Sequence, residues 1–181
     1  MKKVLVPLAE GFEEIEAVTI IDVLRRSGME VITAGLTDMI VTGSHSIAVE
    51  ADILLEAAVD ASYDAIVLPG GMPGAKNLRE NEMLLRMLRQ MDSDRKWIGA
   101  ICAAPTVLET AGILRGRKAT SFPAHKKELE SADYREDRVV IDGHIVTSRG
   151  AGTALEFSLK LVHLIAGPEK ASELSAAMLA R

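Results

Sequence analysis

An α/β sandwich, a mainly parallel sheet with helices on both faces, is the fold this sequence predicts. Three observations carry the expectation. Short apolar runs, partly β-branched, alternate with stretches whose apolar residues recur at helical spacing. Glycine turns separate the two kinds of segment, and no repeat, low-complexity tract or long linker interrupts the 181 residues. Strand–helix–strand order requires crossovers, and crossovers give parallel sheets covered on both sides. At this length one domain, residues 1–181, can bury its own core.

The elements follow in order. Lys3 to Leu8 (KVLVPL) reads as a buried strand, with Pro7 arguing for its end or for a sheet edge. Gly11 opens a helical pattern in which Ala17, Ile20, Ile21 and Leu24 share a face. Arg25 and Arg26 fall in its last turn, and Gly28 stops it. Glu30 to Leu36 is the next strand, completing a βαβ unit. Met39 to Ala51 is two alternating runs around Gly43-Ser44-His45-Ser46, a hairpin inserted beside the main sheet. Asp64 to Pro69 is a buried strand that runs into the glycine-rich PGGMPGAKN. Asn81 to Met91 is an amphipathic helix with Leu84, Leu85 and Leu88 on one face. Trp97 to Ile101 is a strand leading to Cys102 and a helix from about Pro105 to Thr110. Asp142-Gly143 marks a second hairpin, between Val139 and Thr147. Two helices close the chain. Phe157, Leu161, Leu164 and Ile165 line the first, Gly167-Pro168 ends it, and Ala171, Leu174 and Met178 line the second.

Composition narrows the function classes. The net charge of −5, with basic residues scattered, gives no footprint for nucleic acid. The N-terminal apolar run meets acids at once and lacks a cleavage signature, and no stretch reaches membrane-spanning length. A single cysteine cannot form an internal disulfide, so the expected setting is a reducing one, the cytoplasm.

In open parallel sheets, ligands sit outside the carboxyl ends of the strands. Glu10 to Glu16, Gly70 to Gly74 and Cys102 to Pro105 would converge there. At a strand-to-helix turn, Cys102 faces unpaired amides that favour a thiolate and lower its pKa. The alternative is a small buried hydrophobe. Glu10, Glu13, Glu14 and Glu16 crowd a helix start, where negative charge is stabilising without further purpose. A Glu16 pointing toward the crevice could share a proton with the sulfur, but read from the residues alone the capping and dipole role is preferred for each acid. The PGG turn could cradle an oxyanion, but it lacks the residues of a phosphate loop, so nucleotide binding is disfavoured. His45, His125, His144 and His163 show no ligand spacing, and no metal is expected.

The blocks VLVPLAEGFEEIEAVTIIDVLRRSG, YDAIVLPGGMPGAKNL, AICAAPTVL, ATSFPAHK and IVTSRGAGTALEFSLKLV resemble those of the ThiJ/PfpI superfamily, in the same order. Within it they are most similar to the branch of the Parkinsonism-associated deglycase. The resemblance implies a flavodoxin-like fold and a homodimer that needs no cofactor. It implies that Cys102 is an oxidation-sensitive nucleophile and Glu16 the carboxylic acid bonded to its sulfur. The amides of Gly71 and Ala103 would be oxyanion donors, with Gly70 shaping the turn. The implied activity is a glutathione-independent glyoxalase or deglycase acting on methylglyoxal, glyoxal or their adducts. The alternative is an oxidative-stress sensor or chaperone without turnover. The protease-like branch has histidine where this chain has Ala103, so peptide hydrolysis is not expected. Phe122 stands where some relatives have histidine, Ala151 replaces a proline, and His45 aligns with an arginine found in some relatives.

Overall fold

The computed structural model describes residues 1–180. The elements are β1 (Lys3–Leu8), α1 (Glu14–Arg26), β2 (Glu30–Gly35), β3 (Ile40–Thr42), β4 (Ala48–Glu50), β5 (Ile53–Leu54), α2 (Leu55–Ala58) and β6 (Ala65–Leu68). Then come α3 (Gly74–Arg79), α4 (Glu82–Ser93), β7 (Trp97–Ile101), α5 (Pro105–Thr110), β8 (Lys118–Ala119) and β9 (Asp133–Tyr134). The last are β10 (Val139–Asp142), β11 (Ile145–Ser148), α6 (Ala154–Ala166) and α7 (Pro168–Ala177). Short 3₁₀ turns span Pro123–Glu128 and Ala151–Thr153.

Seven strands form the main sheet in the order β10-β11-β7-β6-β1-β2-β5, parallel except for the β10–β11 hairpin. Alternation along each strand builds two cores. Leu5, Ile66, Leu68, Ile98 and Ala100 face α4 and α5 through Leu84, Leu85, Leu88, Val107 and Leu108. Val4, Val6, Leu8, Val67 and Val146 face α1 and α6 through Ile20, Leu24, Phe157 and Leu161. Each such side chain taken fully from water contributes about 1.5–3 kcal/mol. The expected sandwich is the observed one.

Local signals set the ends. Gly28, at φ +85°, follows the last turn of α1. The Asn81 side chain caps α4, accepting the Leu84 N–H at 2.9 Å, so the helix starts one residue later than the pattern suggests. The β3–β4 hairpin forms its own two-stranded sheet, as expected.

Pro7 is a correction. It lies one residue before the end of β1, as the first alternative had it, but in an interior strand between β6 and β2 rather than at an edge. The Lys3 carbonyl accepts from Asp64 on the β6 side and the Leu8 carbonyl accepts from Leu36 on the β2 side. By alternation the nitrogen of Pro7 faces β6, where the ladder has already ended at Leu5. The β1–β6 pairing stops where Pro7 has no N–H to continue it, and the β2 ladder is untouched. β5, α2, α3 and the parallel pair β8–β9 are elements the sequence pattern did not predict.

Candidate active site

Strand order reverses between β1 and β6: β1 leads to β2 on one side, β6 to β7 on the other. Loops leaving the carboxyl ends of strands on either side of such a point diverge and leave a crevice. The loop after β1 and helix α1 bring Glu16, the loop after β6 brings Gly70 and Gly71, and β7 ends at Cys102.

Two backbone contacts hold these loops in place. The Glu13 N–H donates to the Gly70 carbonyl at 2.9 Å, and the Gly74 N–H donates to the Gly11 carbonyl at 3.2 Å. Gly71 has φ +92°, and a Cβ there would collide with the Glu13 amide nitrogen, so this close approach needs glycine. At Gly70 a Cβ would fall 2.6 Å from the Cys102 Cβ and 2.8 Å from Glu16 Oε2. The missing methyl is the space in which thiol and carboxyl meet.

Cys102 itself has φ +63°, a strained conformation on a sharp strand-to-helix turn. Its N–H donates to the Ser148 carbonyl at 3.0 Å, and its carbonyl accepts from the Phe122 N–H at 2.9 Å. These clamps come from remote backbone and leave no side-chain signature in the sequence. The thiol is partly exposed.

Glu16 is fully buried, and its Oε2 accepts the Gly70 N–H at 2.8 Å. Its Oε1 is buried without a conventional hydrogen-bond partner. Burial raises the Glu16 pKa to about 7, against the lowering effects of the Gly70 amide and the Cys102 thiol. The Cys102 thiol is pushed up to about 12, by burial first, then by the Glu16 charge and its hydrogen bond. The amides of Gly71 and Ala103 oppose this. Helix-start amides therefore do not by themselves make Cys102 acidic, contrary to the sequence-based expectation: burial and a facing carboxylate outweigh them. Glu16 raises the thiol while the thiol lowers Glu16, so the two titrate as a coupled pair. With Glu16 protonated, the repulsion vanishes, the acid can donate toward sulfur, and the two amides favour the thiolate.

The DJ-1/PfpI family matches residues 2–164. The chain belongs to that family. A relative named DJ-1 homolog B, from Arabidopsis thaliana, is 46% identical over 98% of this chain. The chain spans 41% of that plant protein's length. A Caenorhabditis elegans protein named glutathione-independent glyoxalase DJR-1.2 is 37% identical, over 91% of this chain and 89% of its own. The crystal structure of Drosophila melanogaster DJ-1beta superposes with a TM-score of 0.97 at 40% identity, covering 99% of this chain and 98% of that one.

Against the DJ-1/PfpI pattern, the structure brings Glu16, Gly70, Gly71, Cys102 and Ala103 together. Ala103 is fully buried, so a methyl group occupies the position of the protease-like histidine. Glu10, Glu13 and Glu14 do something else. Glu10 accepts the Thr42 N–H at 2.9 Å, and Glu13 is the N-cap of α1, accepting the Ile15 N–H at 3.4 Å. Glu14 accepts the His45 N–H at 2.6 Å and meets His45 Nδ1 at 2.9 Å. Burial opposes its ionisation, but the bonds from His45 and Ile47 hold its pKa at about 2. Glu10 and Glu14 thus tether the β3–β4 hairpin, a long-range role invisible in the run EGFEE. Glu13, Glu14 and His45 bring ligand-type atoms within 4.8 Å of one another, yet Glu14 is already taken up by the hairpin. His125 and His144 pair with Glu128 and Asp92, at 2.6 and 2.7 Å. Among the described residues, no helix is long and apolar enough to cross a membrane.

Proposed function

We propose that this chain is a cofactor-independent enzyme acting on 2-oxoaldehydes such as methylglyoxal and glyoxal, and on their adducts. The observation that carries the reading is the buried Glu16 carboxyl, anchored on the Gly70 amide beside the Cys102 thiol. Glu16 accepts the Cys102 proton, the thiolate adds to the aldehyde carbon, and Glu16 returns the proton to the oxyanion held at the amides of Gly71 and Ala103, giving a hemithioacetal. The Glu16 carboxylate then takes the proton from that carbon and returns it to the adjacent ketone carbon, while the hydroxyl proton passes from the first oxygen to the second. The first carbon rises to a thioester and the second falls to an alcohol, with no outside oxidant. Water cleaves the thioester, releasing lactate or glycolate and restoring the thiol. An amine or thiol adduct that releases the aldehyde enters the same sequence, which amounts to deglycation. The name of the Caenorhabditis elegans relative supports this reaction class.

Metal-stripped protein without glutathione should convert methylglyoxal to lactate, and Cys102→Ala should abolish the conversion. No lactate from the wild type, or undiminished lactate from the variant, contradicts the reading. A redox-sensing role draws support from the partly exposed sulfur. It predicts a gain of two oxygens on Cys102 under mild peroxide without aldehyde turnover. We further propose that the chain pairs with a second copy through the exposed Ile15 and Val18 of α1 and Ile40 and Ile47 of the hairpin region. Arg25 and Arg26, in the last turn of α1, are engaged within the chain, with Asp52 at 2.8 Å and Asp22 at 2.7 Å.

A further inference from the structure

The loops around Cys102 carry polar groups to the sulfur and apolar side chains to the solvent. Met72, directly after Gly71, is 47% exposed, and Phe122 is 46% exposed. Phe122 is the sole aromatic among the exposed large apolar side chains of the described residues. It is also firmly placed. Its N–H is bonded to the Cys102 carbonyl, which ties its backbone to the nucleophile. Its ring lies over Gly150, where a Cβ would come within 3.4 Å of Phe122 Cδ2. On another side stands the His125 ring, 6.5 Å away between centroids and itself held by Glu128. An aromatic ring left in water on a segment bonded to the Cys102 backbone is a contact surface without its partner. The carboxyl of Glu16 and the amides of Gly71 and Ala103 would be occupied by the carbonyl end of a substrate. The apolar rim is left to meet whatever that carbonyl carries.

We propose that Phe122, with Met72 on the neighbouring loop, forms an apolar wall that selects 2-oxoaldehydes with an aryl or bulky alkyl group on the ketone carbon. The proposal rests on the dicarbonyl reading above. Steady-state kinetics on glyoxal, methylglyoxal and phenylglyoxal test it in the wild type, Phe122→Ala and Phe122→Leu. The wild type should prefer phenylglyoxal, then methylglyoxal, then glyoxal. Phe122→Ala should lower the phenylglyoxal-to-glyoxal ratio of kcat/KM about tenfold, mainly through KM, and Phe122→Leu should restore part of it. A ratio unchanged in Phe122→Ala, or a wild type that prefers glyoxal, overturns the wall. A second arm needs no turnover: the rates at which iodoacetamide and N-benzyl iodoacetamide alkylate Cys102. The wild type should favour the benzyl reagent and Phe122→Ala should lose that preference; equal loss for both reagents overturns the proposal. Labelling preference without turnover of any aldehyde would sink the dicarbonyl reading and leave the wall standing.

Discussion

Glu16 reaches its position with one oxygen on the Gly70 amide and the other buried without a conventional partner, and this fixes its dependence on pH. Its folded pKa of about 7 lies above the ordinary 4.5. The folded state therefore keeps a proton that the unfolded chain releases first. Stability from this group is complete below about pH 4.5 and declines as pH rises to about 7, by on the order of 3 kcal/mol. Urea unfolding of Glu16→Gln should lose that decline; equal slopes in both proteins would contradict the burial account. Gly70→Ala drives a methyl against the Cys102 Cβ and Glu16 Oε2. It should reduce turnover roughly 10²-fold while costing about 1–3 kcal/mol in thermal unfolding. Loss of activity in proportion to folded protein alone would contradict the role given to Gly70. At this scale the sequence was half legible. Cys102 stood out by its place at the end of a strand, whereas Glu16 was one of several acids at a helix start. What separates it from them is burial against Gly70, a partner 54 positions away.

The β3–β4 hairpin depends on acids of another element. Glu14 receives the His45 N–H and stays ionised far below the usual carboxylate range, against the cost of its burial. Its folded pKa of about 2 means that this contribution is present above about pH 4.5 and is lost as pH falls toward 2. Glu14→Ala should destabilise the fold by about 1–3 kcal/mol at neutral pH and speed hydrogen exchange at the His45 amide. Unchanged exchange there would mean the hairpin is held by other contacts. Elements of four or more strongly patterned residues, such as β1, α1, α4, β7 and α6, were legible because one buried face repeats along them. The two-residue strands β5, β8 and β9 are too short for any period to register. They exist because neighbouring backbone offers them a ladder. Pro7 misled for a related reason: whether a strand tolerates proline depends on which side its nitrogen faces, and that is set by partners.

At the scale of the whole molecule, two apolar faces of one sheet bring three strand ends to the point where strand order reverses. This much followed from the order of elements in the sequence; the ionisation of the site did not, because it depends on burial. The exposed apolar residues beside α1 lead to a prediction about assembly. Val18, half exposed, can take a charge without entering the core. Val18→Asp should leave the fold intact and shift sedimentation from dimer toward monomer; a wild type that sediments as a monomer contradicts the proposed pairing. The central claim is that Glu16 and Cys102 titrate as a pair, burial and the Glu16 charge holding the Cys102 thiol far above its ordinary range. Thiolate ultraviolet absorbance followed across pH tests it most directly, in the wild type and in Glu16→Gln. Thiolate in the wild type should appear only toward pH 12, and in Glu16→Gln, which lacks the facing charge, at clearly lower pH. Equal thiolate titrations in the two proteins would contradict the account.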